Sequence, residues 1–466
     1  MTNEGTICAI STPAGQGGIA VIRVSGDNAL SICDKIYTPL KTGKSIETQK
    51  PYTLSFGKIY KEDEILDEVL VSVFHNPHSF TGEDTVEITC HGSSYIQQEI
   101  LKLLITNGCR LAAPGEFTQR AFLNGKMDLS QAEAVADLIT SSSAASHRLA
   151  MTQLRGGFSK ELMELRLQLL DFVSLIELEL DFGEEDVEFA DRSRLLELSE
   201  SIRKTISRLI QSYSLGNAIK NGIPVVIVGE TNAGKSTLLN HLLNEEKAIV
   251  SDIHGTTRDV IEDVININGI DFRFIDTAGI RDTQDEIETL GIERTYQKIE
   301  QASIVVWMID ATQFSEKIEE IADKIVPRTE NKQLIIIFNK IDKISQEEQI
   351  ILEEEFLPEI SAQRIYLSAK YKRNTDILET ALLEAANLPD LTENDIVVTN
   401  MRHYEALTHA LHAIERVEEG LQQGVSGDFI SQDIRECMYY LGEITGGEIT
   451  NDEVLGNIFS RFCIGK

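Results

Sequence analysis

The residues best suited to chemistry stand in the middle of the chain, where Gly229 to Ser236 read G-x-x-x-x-G-K-S directly after the apolar run 225–228. A loop of this kind, between a strand and a helix, points its backbone N–H groups at a phosphate chain, and the helix N-terminus favours the anion. Lys235 is expected to reach the β- and γ-phosphates, and Ser236 to ligate Mg²⁺. The loop therefore predicts a nucleoside triphosphatase.

Two elements downstream of this loop suit the metal and the γ-phosphate. In the run Gly255-Thr256-Thr257-Arg258-Asp259, Thr257 is predicted to contact Mg²⁺ in a segment that closes and opens with the nucleotide state. A strand then ends in Asp276-Thr277-Ala278-Gly279, where the aspartate would face Mg²⁺ and the glycine would admit a backbone N–H to the γ-phosphate. Ras-type proteins place a water-orienting glutamine after this glycine, whereas Ile280 follows here, so hydrolysis needs other assistance.

Two later elements suit a guanine base. The apolar run 335–338 leads into Asn339-Lys340-Ile341-Asp342, and the run 365–367 leads into Ser368-Ala369-Lys370. Asp342 can accept hydrogen bonds from the guanine N1–H and 2-amino groups, which adenine lacks, so ATP would leave the carboxylate unpaired at a high cost. The backbone of Ser368-Ala369-Lys370 can meet guanine O6. The elements in this order therefore predict that the nucleotide is GTP.

The composition limits the class of protein. A net charge of −32 repels nucleic acid, so an RNA contact must be local or made through a basic partner. The six cysteines lack C-x-x-C spacing, which argues against a zinc site and a secreted disulfide framework. No signal peptide or long apolar run is visible, so we expect a cytoplasmic protein without a membrane span. The acidic cluster at 177–191 is interpreted as a solvated face, with a surface for a basic partner as the alternative.

Proline placement and apolar periodicity divide the chain into four segments. The first is mixed α and β, with strand-like runs at 19–24, 69–74 and 85–89. The second and fourth are helical, and the helical spacing is clearest at 159–182. The third alternates strand and helix, which predicts a doubly wound, mostly parallel sheet inserted between helical parts that pack together. The predicted boundaries are 1–120, 121–215, 216–384 and 385–466.

Three further blocks carry a family resemblance. They are the runs TPAGQGGIAVIRVSG from Thr12, PGEFTQRAFLNGK from Pro114, and Phe462-Cys463-Ile464-Gly465-Lys466. Together with the nucleotide elements, they make the chain resemble the MnmE (TrmE) family of tRNA-modification GTPases over nearly its whole length. The resemblance implies an α+β folate-binding and dimerisation domain at 1–120, a discontinuous helical domain at 121–215 and 385–466, and an inserted Ras-like G domain at 216–384.

The resemblance also implies K⁺-activated hydrolysis that is switched on when the two G domains of a homodimer meet. Asn232 would hold K⁺ with Ser251, Ile253 and Thr256, where an arginine finger otherwise supplies positive charge. Glu288 would orient the attacking water, although its surroundings alone favour an ordinary exposed acid. The Mg²⁺ ligands would be Ser236 and Thr257. The full set of GTP contacts would be Asn232, Ala233, Gly234, Lys235, Ser236, Thr237, Ser251, Asp252, Ile253, His254, Gly255, Thr256, Thr257, Asp276, Thr277, Ala278, Gly279, Asn339, Lys340, Asp342, Ser368, Ala369 and Lys370.

A reduced folate, 5-formyl- or 5,10-methylene-tetrahydrofolate, is assigned by the resemblance to Arg23, Glu87, Lys126 and Lys466. A carboxylate such as Glu87 can accept hydrogen bonds from a pterin ring, and Arg or Lys can pair with the glutamate tail. From the sequence alone, Arg23 and Lys126 would be ordinary surface charges. Cys463 would lie close to the folate and handle the one-carbon unit, whereas by itself it is an ordinary thiol.

The activity that the resemblance implies is modification of tRNA. With an FAD- and NADH-using partner of the MnmG (GidA) type, the chain would add a carboxymethylaminomethyl or aminomethyl group to C5 of the wobble uridine. The folate would supply the bridging carbon and glycine or ammonium the amine, while GTP acts as a conformational switch; tRNA would be bound mainly through the partner. Two alternatives stay open: a GTP-dependent ribosome or RNA assembly factor, and a folate enzyme with a regulatory G domain. Assembly factors usually carry a basic RNA-binding module, and none is visible here.

Overall fold

The computed structural model describes residues 5–40, 45–181, 192–246, 263–275, 296–313, 316–355, 360, 362–388, 395–447, 458–459, 462 and 465. The chain divides into two compact units. Unit 1 comprises Met1–Thr140, Ala150–Ile210 and Arg402–Lys466, and unit 2 comprises Ser141–Leu149 and Gln211–Met401. The four sequence segments, with their boundaries, stay a prediction.

Thirteen strands and thirteen helices are bounded in the described residues. The strands are β1 Ile7–Ile10, β2 Gly17–Ser25, β3 Tyr37–Pro39, β4 Thr53–Lys61, β5 Glu64–Phe74, β6 Thr85–Gly92, β7 Arg110–Leu111, β8 Ile223–Val228, β9 Asp263–Ile267, β10 Ile270–Phe274, β11 Ile304–Asp310, β12 Gln333–Asn339 and β13 Gln363–Leu367. The helices are α1 Ala29–Ile36, α2 Ser94–Thr106, α3 Glu116–Leu123, α4 Leu129–Thr140, α5 Ala144–Leu154, α6 Gly157–Asp181, α7 Arg192–Asn221, α8 Lys235–Glu246, α9 Glu316–Ile325, α10 Gln346–Glu355, α11 Thr375–Ala386, α12 Met401–Gln423 and α13 Gly427–Thr445.

Unit 1 is built on a seven-stranded sheet of order β3-β4-β5-β6-β2-β1-β7. Its neighbouring strands are antiparallel except for the parallel pair β1 and β7. Alternation along β5 explains its two faces, because Val69, Val71 and Val73 are buried in the core that also contains residues of α1 and α2, while Leu70 is 41% exposed. The strands predicted at 19–24, 69–74 and 85–89 are confirmed as β2, β5 and β6.

Outside its sheet, the described part of unit 1 consists of helices and short loops, as the proline-free stretches predict. The helix predicted at 159–182 is confirmed as α6, which packs along α13 and whose Arg166 donates from Nη1 to the Met438 carbonyl at 2.8 Å. An ion pair joins α4 to α12, where the partly buried Arg402 donates to both oxygens of the buried Glu133 at 2.9 and 3.1 Å. Among the described residues, no helix combines the length and the hydropathy that a bilayer span requires.

Unit 2 is built on a six-stranded sheet of order β13-β12-β11-β8-β10-β9. Its strands are parallel apart from the antiparallel hairpin of β9 and β10. Every residue of β11 is buried, as expected of a strand with helices on both faces, and a separate apolar core lies on each side of the sheet. The predicted multidomain fold, with a doubly wound sheet in the central part of the chain, is therefore confirmed.

Candidate functional site

The G-x-x-x-x-G-K-S loop lies between β8 and α8, at the carboxyl edge of the sheet of unit 2. Both glycines are required by space as well as by backbone conformation. Gly229 has φ 150°, and a Cβ there would lie 2.1 Å from the Met308 carbonyl oxygen. Gly234 has φ 105°, and its Cβ would lie 2.2 Å from Nδ2 of Asn339. The two glycines thus let the loop pack closely against Met308 and Asn339, in a backbone conformation suited to phosphate binding.

Lys235 is held over this loop. Its Nζ donates to the carbonyl oxygens of Gly229 at 2.7 Å and Glu230 at 2.8 Å. Burial lowers the pKa of Lys235, and the nearby Glu230 partly opposes that shift. A partly buried ammonium group at the N-terminus of α8 makes the loop a binding site for a multiply charged anion.

Asn339 joins the phosphate loop to the second base-recognition loop. Its Nδ2 donates to the Ala233 carbonyl at 2.7 Å, and its Oδ1 accepts from the Ala369 N–H at 3.0 Å. The side chain is 3% exposed, so these bonds are made in a dry environment where losing them is costly. The Asn339 amide therefore links the phosphate loop directly to the second base-recognition loop.

The base-recognition residues stand at the ends of β12 and β13. Asp342 accepts a hydrogen bond from Ser368 Oγ at 2.5 Å. Lys340, with φ 67°, donates from Nζ to Oδ2 of Asp310, which also accepts from the Thr312 hydroxyl at 2.7 Å. Burial of Asp310 opposes its ionisation, but the bonds from Lys340 and Thr312 outweigh it and the pKa of Asp310 is lowered. The Asp310 carboxylate is thus held ionised, and the Asp342 side chain is oriented by Ser368, at this end of the sheet.

These residues enclose a cavity of about 490 Å³. The predicted residues that line it are Asn232, Gly234, Lys235, Ser236, Thr237, Asn339, Lys340, Asp342, Ser368, Ala369 and Lys370. Ala233 is buried beneath it with 1% exposure. Thr231 and Lys343 also line it and were missed by the sequence analysis, although each adjoins a predicted residue. The cavity is large enough for one nucleotide and carries both phosphate-binding and guanine-binding groups.

Several predicted residues lie outside the described part of the chain. They are Ser251, Asp252, Ile253, His254, Gly255, Thr256, Thr257, Asp276, Thr277, Ala278, Gly279, Glu288, Cys463 and Lys466. Their roles stay predictions.

A second polar site lies on the sheet of unit 1, where Arg23 of β2 stands directly opposite Glu87 of β6. Two guanidinium nitrogens of Arg23 contact Oε1 of Glu87, Nε at 2.9 Å and Nη2 at 2.8 Å. The Arg23 guanidinium carbon lies 5.5 Å from the ring centre of Phe80 and 5.7 Å from that of Phe117. The rings of the partly exposed Phe80 and the buried Phe117 thus pack against the ion pair, and Glu87, with about a quarter of its side chain exposed, offers a charged group to a ligand.

Two hydrogen bonds connect the other predicted folate contacts, or their sequence neighbours, to the region around Arg23 and Glu87. Lys126 donates from Nζ to the Pro77 carbonyl at 2.9 Å, on the loop that also supplies Phe80. Gly465, the neighbour of Lys466, accepts a hydrogen bond from Ser11 Oγ at 3.1 Å at the end of β1, the strand next to β2. The structure therefore brings Arg23 and Glu87 together and places Lys126 on an adjoining loop.

A buried ion network supports that loop and was not singled out by the sequence analysis. Glu116, 1% exposed, accepts from Arg110, from the Ala113 N–H at 2.9 Å and from Arg120 Nη2 at 3.0 Å. Burial opposes ionisation of Glu116, but these donors outweigh it and its pKa is lowered. Arg120 also donates to both oxygens of Glu83 at 3.0 Å, which anchors the loop carrying Phe80. The signal available in the sequence was the charged start of the PGEFTQR run.

The face of the sheet that carries Arg23 and Glu87 also carries exposed apolar side chains. The residues Leu54, Ser72, Glu87 and Arg23 form one row across β4, β5, β6 and β2. In the next row, Phe56 stands opposite Leu70. The exposed fractions are 67% for Leu54, 43% for Phe56 and 41% for Leu70. The second polar site is thus flanked by an exposed apolar surface, which we call the open sheet face.

Comparisons with known proteins cover the whole chain. The family model "MnmE helical domain" matches residues 129–463, and the model "GTP-binding protein TrmE N-terminus" matches residues 6–126. Curated relatives named tRNA modification GTPase MnmE include those of Bacteroides thetaiotaomicron, 64% identical with 100% of each chain covered, and Parabacteroides distasonis, 62% identical with 99% of this chain and 100% of the relative covered. The relative from Flavobacterium johnsoniae is 54% identical over 470 aligned residues, with 100% of each chain covered.

Among solved structures, a variant of Aquifex aeolicus Era bound to GDP and AlF4 is 33% identical over 41% of this chain and 66% of that chain, with a TM-score of 0.27. The full-length curated relatives carry the assignment, and they agree with the phosphate loop, the base-recognition loops and the N-terminal sheet described above. This chain is a GTP hydrolase that belongs to the MnmE family of tRNA modification GTPases.

Proposed function

We propose that this GTPase modifies the wobble uridine of certain tRNAs in the cytoplasm, together with a separate FAD- and NADH-dependent protein of the MnmG type. The product would carry an aminomethyl or carboxymethylaminomethyl group at uridine C5. A reduced folate, 5-formyl- or 5,10-methylene-tetrahydrofolate, supplies the bridging carbon when it is bound. GTP binding and hydrolysis rearrange the complex, while the carbon chemistry takes place in another part of the molecule.

The observation that carries this proposal is the second polar site. A GTPase that only assembled ribosomes would need its nucleotide cavity and an RNA surface, but no ion pair between aromatic rings on a separate sheet. Arg23 and Glu87 supply a cation for the glutamate tail and a carboxylate for the pterin donors, and Phe80 and Phe117 lie beside them. Bound folate would be held by these residues with Lys126 and Lys466, and Cys463 would act on the one-carbon unit.

In the nucleotide cavity, Ser236 and Thr257 would ligate Mg²⁺, and K⁺ would be bound by Asn232 with Ser251, Ile253 and Thr256. Asn232 is in the left-handed region with φ 65° and lines the cavity next to Lys235. A cation at this position would neutralise charge that develops on the phosphates during hydrolysis. Turnover of GTP should therefore be faster in KCl than in NaCl at equal ionic strength. Equal rates would show that Asn232 does not bind an activating K⁺.

We also propose that the chain forms a homodimer through the open sheet face. Leu54, Phe56 and Leu70 present apolar surface on a sheet whose opposite face already covers a core. Exposed apolar patches of this kind mark association surfaces. Dimerisation there would bring two copies of the second polar site close to one interface.

Mass spectrometry of tRNA nucleosides from cells that lack this protein tests the whole proposal. We expect loss of the modified wobble uridines, and complementation by the intact gene should restore them. Unchanged wobble uridines combined with a defect in ribosomal subunits would instead support the alternative, a GTP-dependent ribosome or RNA assembly factor. Folate turnover without any tRNA change would support a folate enzyme with a regulatory G domain.

A further inference from the structure

A basic turn stands beside the nucleotide cavity, in a chain with a net charge of −32. Lys370, Tyr371, Lys372 and Arg373 follow β13, and all four are exposed. No other four consecutive residues of the sequence contain three basic residues. Local positive charge of this density is what an RNA contact requires when the rest of the surface repels phosphate. We call these four residues the basic turn.

The backbone holds the basic turn in one conformation. Ser368 and Arg373 exchange two backbone hydrogen bonds, each of 3.1 Å, across the ends of the turn. Asn374 then donates from Nδ2 to the Tyr366 carbonyl at 2.8 Å, which fixes the exit to α11. Because the backbone of the turn is already ordered, less conformational entropy is lost when a ligand binds to its side chains.

Lys372 occupies a backbone conformation that glycine would adopt more readily. Its φ is 56°, in the left-handed region where a side chain costs about 1 kcal/mol. Glycine avoids this cost and is the usual residue of such turns. The backbone conformation alone would therefore favour glycine at this position, and the lysine adds a positive charge to the exposed turn.

Tyr371 adds an aromatic surface to the charges. The residue is 62% exposed, and the Nζ of Lys370 lies 5.1 Å from the centre of its ring. Single-stranded RNA is bound by basic groups that follow the backbone and by aromatic rings on which unpaired bases stack. An acidic protein surface would pair with the three cations but would have no specific use for an exposed ring between them. The combination favours RNA.

We propose that the basic turn is an RNA-binding surface of this GTPase that contacts an unpaired loop of tRNA. Lys372 and Arg373 bind backbone phosphates, and one base stacks on Tyr371. The proposal rests on tRNA being the substrate. Because Lys370 also lines the nucleotide cavity, RNA bound at the turn would lie next to the bound GTP.

Binding of purified bulk tRNA to the full-length protein, measured by fluorescence anisotropy from 50 to 300 mM KCl, tests the proposal. The double variant Lys372→Gly with Arg373→Gln should weaken binding about tenfold and lower the slope of log K against log salt by about 1.4, or about 0.7 per lost contact. Tyr371→Ala should weaken binding about fivefold or more and leave the slope unchanged, because stacking releases no counterions.

The matched control is Lys160→Gln with Lys204→Gln, which removes two exposed lysines from helices of unit 1. It should retain the affinity and the slope of the wild-type protein. Unchanged tRNA binding in the turn variants would overturn the proposal, as would an equal loss in the control. Self-association that falls in the turn variants while tRNA affinity stays constant would assign the turn to a protein contact instead.

A failure of the RNA-binding proposal can be distinguished from a failure of the proposed function. Affinity for a fluorescent GTP analogue should be unchanged in all these variants, because Tyr371, Lys372 and Arg373 do not line the nucleotide cavity. Suppose that wobble uridines are unchanged in cells that lack the protein, while the turn still binds tRNA. This result would refute the proposed modification activity and support the proposed RNA-binding surface. Loss of GTP affinity in the turn variants would overturn the RNA assignment.

Discussion

At the scale of single residues, two polar side chains of the nucleotide cavity have different roles. One is an amide that connects parts of the protein, and the other is a carboxylate that lines the cavity. Both ends of the Asn339 amide are engaged by backbone groups of the protein. Asp342, in contrast, is oriented by the Ser368 hydroxyl while its side chain lines the cavity. Nucleotide specificity is therefore expected to depend on Asp342, and loop placement on Asn339.

Replacing Asp342 by Asn should change the base that the protein prefers. The amide can no longer accept both guanine donors, so affinity for GTP should fall about a hundredfold or more. Xanthine carries a carbonyl group in place of the 2-amino group, and the new amide N–H can donate to it, so XTP affinity should rise. Competition between GTP and XTP for a fluorescent analogue measures both changes. Retention of GTP preference would mean that Asp342 does not read the base.

Glu288 lies outside the described residues, and its assignment as the group that orients water remains a prediction. Glu288→Ala should leave GTP affinity intact and reduce turnover about a hundredfold or more, as expected for loss of a group that acts on the attacking water. Glu286→Ala, two residues earlier in the same acidic stretch, is the control and should turn over normally. Normal turnover in Glu288→Ala would refute the assignment.

At the scale of elements, the sheet of unit 1 has one face in its core and one available for association. Leu70→Glu places a charge on the open sheet face opposite Phe56, and burying that charge in an interface would be costly. The variant should sediment as a monomer, whereas Leu167→Glu, at a position 54% exposed on α6, should remain dimeric. A dimeric Leu70→Glu protein would place the interface elsewhere.

The contact between α4 and α12 should make unit 1 sensitive to acid. Burial opposes ionisation of Glu133, but His403 and Arg402 outweigh it and lower the pKa of Glu133 from 4.5 to about 2. Folding therefore favours the ionised form, and this contribution of about 3 kcal/mol is complete above pH 4.5 and lost as the pH falls toward 2.

Urea unfolding followed by circular dichroism measures this effect. Glu133→Gln should destabilise unit 1 by about 3 kcal/mol at pH 7, because the partly buried Arg402 then loses its counter-charge. The difference from the wild-type protein should shrink below pH 4.5. A difference that stayed constant down to pH 3 would show that Glu133 does not titrate with folding.

At the scale of the whole molecule, the two compact units can be followed separately. Trp307 is the single tryptophan of the chain, and it is buried in β11 of unit 2. GTP at a hundredfold excess over its Kd should stabilise the unit that binds it by about 2.7 kcal/mol. The tryptophan transition should therefore move to a higher temperature with GTP and Mg²⁺. A tryptophan transition that GTP left unmoved would contradict the placement of the site in unit 2.

The parts of the fold that the sequence predicted are those specified by local rules. The phosphate loop is recognisable because Gly229, Gly234 and Lys235 are needed within a few residues of one another. The β5 strand and α6 follow from apolar periodicity within single segments. Local chemistry and local periodicity can be read without knowing what lies beside them in space.

The parts that could not be predicted depend on pairings between distant segments. Arg23 meets Glu87 only because β2 and β6 pair in one register, and a shift of one residue would turn the two side chains to opposite faces. Glu116 and Arg120 are buried by contacts with Arg110 and Glu83, which periodicity does not reveal. The strand β4 was missed because its apolar residues lie on both faces, with Leu54 and Phe56 on the open sheet face and Ile59 in the core.

The division of unit 1 among three stretches of chain has a consequence for synthesis. Phe459 packs against Phe122 and Leu129, and Gly465 lies against Ile10, so the end of the described chain completes contacts with its beginning. Chains fold as they leave the ribosome, at about 5–20 residues per second. The early strands must therefore wait about ten seconds or more, while unit 2 is made, before these contacts can form. A ribosome that stalled within unit 2 would leave Phe122 and Leu129 uncovered, and such an unfinished chain would be a ready substrate for chaperones and proteases.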